Sequence, residues 1–142
     1  MPLRQRAYAT GTPYVLTNTP AQVQFGTTSP IITFIRANGK LIVLARAVVN
    51  FVNAVMSTER NITLKLRRTN HTAADIPNSS TVIKVGVSTS GQSMTGAVVE
   101  LPPVEVTLSG TSGDVVELWA SIDSLPDSGD IVIKEASIVS EL

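Results

Sequence analysis

The sequence predicts an all-β protein: an eight-stranded antiparallel jelly-roll sandwich over residues 21–142, preceded by a short extended N-terminal arm over residues 1–20. Three observations lead there. From residue 21 onward, short apolar runs recur between clusters of turn-forming residues, at a spacing typical of sandwiches. The one polar-apolar run with clear periodicity, residues 61–68, alternates Ile62, Leu64 and Leu66 with Thr63, Lys65 and Arg67, a period of two. The breaks carry Gly, Pro, Asn, Asp and Ser, which bend the chain for identifiable steric and hydrogen-bonding reasons.

Taken in order, residues 1–20 carry Pro2, Gly11, Pro13 and Pro20 and no periodic pattern, so they read as an arm or loop that orders against a partner. Strands are expected near 21–25, 31–36, 40–52, 61–68, 81–87, 97–108, 114–122 and 130–140. Between them lie Gly26 to Pro30, Ala37-Asn38-Gly39, Asn70 to Ser80, Ser88 to Gly96, Ser109 to Gly113 and Leu125 to Gly129. Pro102-Pro103 cannot donate to a ladder, so 97–108 lies at an edge or bends there. A turn of helix is best placed at Ser57 to Arg60 or Thr72 to Ile76. The 40–52 strand is unusual. One face is Leu41, Val43, Ala45, Ala47, Val49 and Phe51, and the other is Ile42, Leu44, Arg46, Val48, Asn50 and Val52. A sandwich strand normally keeps one wet face. Two dry faces predict that the outer one is covered, by the arm or by another subunit.

A chain of 142 residues is long enough to bury a core without cross-links, and it has no cysteine. Disulfides, thiolate metal sites and cysteine nucleophiles are therefore excluded. The basic start, Met1 to Arg6, is followed by no apolar stretch of the kind a secretory leader carries, and no run reaches the roughly 20 apolar residues of a membrane helix. These features predict a chain made in the cytoplasm, without a membrane partner. Charge nets to zero but is segregated: residues 1–71 hold nine bases against one acid, and residues 72–142 hold two bases against ten acids. The favoured reading is that the two halves interleave in one fold and pair their charges; the other is a positive face meeting a negative one across subunits. A neutral domain is not expected to bind nucleic acid.

Two strings give a resemblance. Gly39-Lys40-Leu41-Ile42-Val43 enters a central strand, and Gly113-Asp114-Val115-Val116-Glu117-Leu118 enters a late one. In these strings and in strand order the chain resembles the tumour necrosis factor-like and complement globular-head jelly rolls over residues 21–142. It departs from them at Leu41, where an aromatic is usual, and over Lys134 to Leu142, which lack the family's Phe-x-Gly-aromatic ending. The resemblance implies inward Val116 and Leu118, a homotrimer about a threefold axis, and binding or scaffolding rather than catalysis. Small jelly rolls without leader or stalk are similar to virion proteins of tailed phages. The implied function is a structural virion protein: a homotrimeric capsid decoration subunit that binds and stabilises the assembled shell, its partners being itself and a major capsid protein. The alternative is the receptor- or glycan-binding head of a phage fibre or adhesin; the short arm favours decoration.

No catalytic, cofactor or metal site is expected. His71 is the sole histidine and lies in a turn-rich loop, with no Gly-x-Ser-x-Gly elbow to serve. Asp123, Asp127 and Asp130 cluster in one loop, but without EF-hand spacing; as turn-capping carboxylates they need no calcium. Arg60, Lys65, Arg67 and Arg68 form a small basic cluster, open either to an acidic partner or to solvent. The candidate interface residues are Leu3, Arg4, Arg6, Tyr8 and Tyr14 on the arm, Leu44, Arg46 and Val48 on the second face of 40–52, and Trp119.

Overall fold

A computed structural model describes residues 4–33, 40–68, 74–107 and 115–141; the side chains of 4, 5, 32 and 141 lie outside the description. Those residues form eleven strands: β1 (Arg4–Val15), β2 (Ala21–Gln22), β3 (Ile31–Thr33), β4 (Lys40–Met56), β5 (Arg60–Arg68), β6 (Ala74–Asp75), β7 (Thr81–Val85), β8 (Ser88–Glu100), β9 (Val104–Thr107), β10 (Val115–Ile122) and β11 (Ser128–Glu141). One sheet runs β1-β11-β4-β8, with β9 also on β4; the other runs β2-β10-β5-β6, with β3 also on β10 and β7 also on β5. All pairs are antiparallel.

The pairing is nested. The first strand meets the last, β2 and β3 meet β10, β4 meets β8 and β9, and β5 meets β6 and β7. With β2–β3, β6–β7 and β8–β9 counted as three interrupted strands, eight positions remain, ordered 1-8-3-6 in one sheet and 2-7-4-5 in the other. This is the double-sheet jelly roll.

Several expectations are corrected here. Residues 4–15, read as a separate arm, are extended but belong to the first sheet, with Arg4 opposite Glu141 and Val15 opposite Val132. Their inward residues are the small Ala7 and Ala9, so no apolar alternation betrays the strand, and Gly11 and Pro13 sit in its bulge between Thr10 and Tyr14. The eight expected strands omit this one and count 21–25 and 31–36 separately, although both pieces occupy one position on β10. Ser88 to Gly96, read as a break, is strand: it lies at an exposed edge, where nothing imposes apolar alternation. The expected bend at Pro102-Pro103 is present and separates β8 from β9, while the Leu101 amide still donates to the Ala45 carbonyl at 2.9 Å. Ser57 to Glu59 is a turn, and Ala74–Asp75 is strand rather than helix. His71, Gly39 and the Gly113-Asp114 pair lie outside the described residues.

The core fills the space between the sheets. Leu41, Val43, Ala45, Ala47 and Val49 of β4 and Ile131, Ile133, Ala136 and Ile138 of β11 face Ile62, Leu64 and Leu66 of β5 and Val116, Leu118, Ala120 and Ile122 of β10. Each buried Val, Leu or Ile contributes roughly 1.5–3 kcal/mol. The inward residues of β11 are odd-numbered before Lys134 and even-numbered after it. A register shift between Ile133 and Glu135 makes Lys134 the extra residue, so the bulge keeps both halves facing the core. A second shift, between Ser128 and Asp130, requires glycine: Gly129 has φ +73°, and a Cβ there would lie 2.1 Å from the Asn53 carbonyl oxygen.

The segregated charges meet as the interleaving reading expects. Lys40 pairs with Glu105, Arg60 with Asp127, and Lys65 and Arg67 with Asp75, each time a base from the first half with an acid from the second.

Candidate functional site

The outward side of the first sheet gathers most of the expected interface residues. Antiparallel register sets its rows. Arg6 lies beside Val139 and Leu44; Tyr8 beside Ser137, Arg46 and Glu100; Thr10 beside Glu135, Val48 and Val98; and Ile42 lies beside Glu105. Because side chains alternate with period two, all of these share one face. Ile42, Leu44, Tyr8 and Val98 are exposed at 42%, 37%, 53% and 53%, well above the residues behind them. β1 therefore lengthens this face and does not lie over it. Among the described residues no segment lies over it, so Ile42, Leu44 and Arg46 on the outer face of β4, expected to be covered, are exposed in the isolated chain, whereas the expected interface residue Val48 is already buried, at 8% exposure.

Polar groups punctuate the face. The Tyr8 hydroxyl donates to Glu135 Oε2 at 2.5 Å, and this bond to a carboxylate raises the phenol's pKa above its ordinary value. Lys40 and Glu105 pair at 3.2 Å at the β9 end. Leu44, Arg46, Glu100, Leu101, Ser137 and Val139 line an open depression of about 220 Å³. Its centre is apolar and its rim charged, the arrangement of a protein–protein contact.

The other expected residues lie elsewhere. Trp119 sits on the outer side of the second sheet, where the Arg67 guanidinium lies 5.1 Å from its ring centroid and its Nε1 donates to Glu117 at 3.3 Å. The chain thus supplies its own cation–π and hydrogen-bond partners for the indole. Tyr14 is turned inward and packs against the core. Leu3 lies outside the described residues; Arg4 opens β1, but its side chain is not described. Sequence reasoning missed Glu100, Val98, Ser137 and Val139, because only the pairing of β4 with β8 and β11 brings them to the face.

Two of the three loop carboxylates, Asp123 and Asp127, are committed to the chain. Asp123 accepts from the Asn61 amide and side chain, both at 3.0 Å, and these bonds lower its pKa. Asp127 accepts from the Ser57 amide at 2.8 Å and from Arg60 at 3.1 Å, which lower its pKa likewise. Arg60 itself is buried and also donates to the Thr58 and Leu125 carbonyls. Asp123 and Asp127 thus close the turns after β10 and β4, the turn-capping role expected of them. Among the described residues no three His, Cys, Asp or Glu side chains gather as a metal site, and no helix is long and apolar enough to cross a membrane. The basic cluster is engaged within the chain too: Lys65 and Arg67 on Asp75 at 3.0 and 2.9 Å, and Arg68 on the Thr107 carbonyl at 2.5 Å.

No protein-family model and no curated protein matches the sequence. Solved structures do match the fold. A structure of the infectious bursal disease virus Gx strain aligns over 99% of this chain and 32% of its own, at 12% identity and a TM-score of 0.50. The VP2 subviral particle of infectious bursal disease virus aligns over 98% of this chain and 32% of its own, also at 12% identity and 0.50. The dimeric latent PorU of Porphyromonas gingivalis aligns at 9% identity over 99% of this chain and 12% of its own, with a TM-score of 0.45. The chain spans about a third of the length of the viral chains it matches, and at this identity the likeness is one of fold.

Proposed function

We propose that this chain is a structural virion protein: a homotrimeric decoration subunit that binds an assembled capsid and stabilises it, without catalysis. The observation that carries the reading is the open apolar face of the first sheet. Ile42, Leu44, Tyr8 and Val98 are exposed on one sheet face that no described part of the chain covers, and exposed apolar side chains gathered on one face mark association sites. The jelly-roll order and its likeness to chains of virus particles support a virion role. The trimer rests on the resemblance of the sequence to tumour necrosis factor-like domains, with whose pattern the inward Val116 and Leu118 agree. The open face makes self-assembly and shell binding two uses of one surface type, and β1, with Arg6 and Tyr8, belongs to it.

The test has two parts. Light scattering of the purified chain at micromolar concentration is expected to give three times 15.0 kDa. A cryo-EM map of the native particle is expected to show the chain on the shell exterior. Leu44→Asp places a charge on the face without touching the core, and is expected to abolish both trimer and decoration. A Leu44→Asp variant that trimerises and decorates like the wild type would overturn the reading.

A further inference from the structure

Charges on the open face are not all used within the chain. Lys40 takes Glu105, and Tyr8 takes Glu135. Arg46 and Glu100 stand opposite each other in the β4–β8 register, both exposed, yet among the described residues no hydrogen bond or ion pair engages either. They flank the depression of about 220 Å³ whose apolar wall is Leu44, Leu101 and Val139. Arg46 also borders a second recess with Arg6, Tyr8 and Glu135.

An occupant of this depression must supply an apolar projection together with one anion and one cation at the spacing of neighbouring strands. The face itself has that composition. Leu44 and Val98 project, and Glu100 and Arg46 lie side by side. A cation directly beside an anion is self-complementary, and Arg6, in the Leu44 row of the same face, adds positive charge on the Arg46 side. Copies related by rotation can place each Arg46 against a neighbour's carboxylate, and a ring of three closes with every pair made. An unrelated protein surface would have to match both charges and the apolar wall independently.

We propose that the occupant is a second copy of this chain, with Arg46 of one subunit paired to Glu100 of the next across a contact centred on Leu44. This rests on the reading of the face as an assembly surface and names its partner. The apolar wall supplies the affinity, and the charge pair fixes register and orientation.

Charge reversal tests it on the full chain, with association followed by sedimentation equilibrium and folding by circular dichroism. Arg46→Glu and Glu100→Arg are each expected to weaken self-association roughly 30-fold or more, because like charges then face each other. Both positions are exposed, so the thermal transition of dilute protein should move only slightly, by what two like charges on adjacent strands cost within one chain, and should return in the double variant. The double variant carrying both reversals is expected to regain association to within about threefold of the wild type, the pair being remade with opposite polarity. Singles that associate like the wild type, or a double as weak as the singles, overturn the pairing. A wild-type chain that stays monomeric while native particles still bind it also overturns the pairing, yet leaves the face as an assembly surface. Loss of neither property in Leu44→Asp would instead sink the assembly reading.

Discussion

Leu118 and Leu44 have the same side chain and opposite surroundings. Leu118 is 0% exposed between the sheets, whereas Leu44 is 37% exposed on the outer face. Leu118→Ala should therefore leave a cavity and cost about 2–5 kcal/mol, while Leu44→Ala in dilute, unassociated protein should change stability by no more than about 0.5 kcal/mol. Urea unfolding of the two variants measures both, and equal losses would mean that the inward and outward faces are misassigned. Trp119 teaches the complementary point. Trp119 is a candidate interface residue by its type and strand position, yet within the chain Arg67 and Glu117 already engage its ring and its N–H. Residue type alone does not tell a group offered to a partner from one already satisfied.

At the scale of elements, β1 is the strand with the weakest signature in sequence and a large structural role. Its Ala9 is buried, and Leu16, just beyond it, is buried and donates its amide to the Ile131 carbonyl at 3.0 Å. Removing residues 1–16 would uncover the edge of β11 and expose part of the core. The truncated chain should lose cooperative unfolding or melt well below the full chain, even before any effect on assembly; a thermal melt unchanged by the truncation would show that β1 is dispensable. What was legible follows from local physics. The period-two alternation of β5, the alternation that turns Val116 and Leu118 of β10 inward and the Pro102-Pro103 interruption each depend on a few adjacent residues, and the structure has all three where that chemistry puts them. The two faces of β4 were also legible, because its apolar residues occupy both parities. Less visible were features that depend on a distant partner. β1 is a strand because β11 lies beside it, and β8 is one because β4 lies beside it. For the same reason Leu44 and Arg46 could be picked out from β4 alone, whereas Glu100 and Val139 became part of the site only through pairing.

For the whole molecule, the sequence halves of opposite charge are wound into one sandwich, and the acids of the second half hold the bases of the first. Asp75 is depressed in pKa chiefly by its hydrogen bond from Lys65, Asp123 by the Asn61 amide, and Asp127 by Ser57. A carboxyl whose folded pKa lies below its unfolded one stabilises the fold at pH above the unfolded value, about 4, and that contribution disappears as pH falls through the folded value. Tyr8 has the opposite sign: its raised pKa favours the fold below about pH 10 and is lost as pH rises past it. Stability is therefore expected to be flat between these limits, with an acid limb set by the three aspartates. Two of them, Asp123 and Asp127, tie the turns after β10 and β4 together around the buried Arg60, so their protonation should release that end of the sandwich. Asp123→Asn with Asp127→Asn should lower stability at neutral pH and flatten the acid limb, since fewer groups then take up protons on unfolding. A double variant whose midpoint against pH falls as steeply as the wild type's would show that acid lability arises elsewhere, and that the charges pairing the two halves do not govern it.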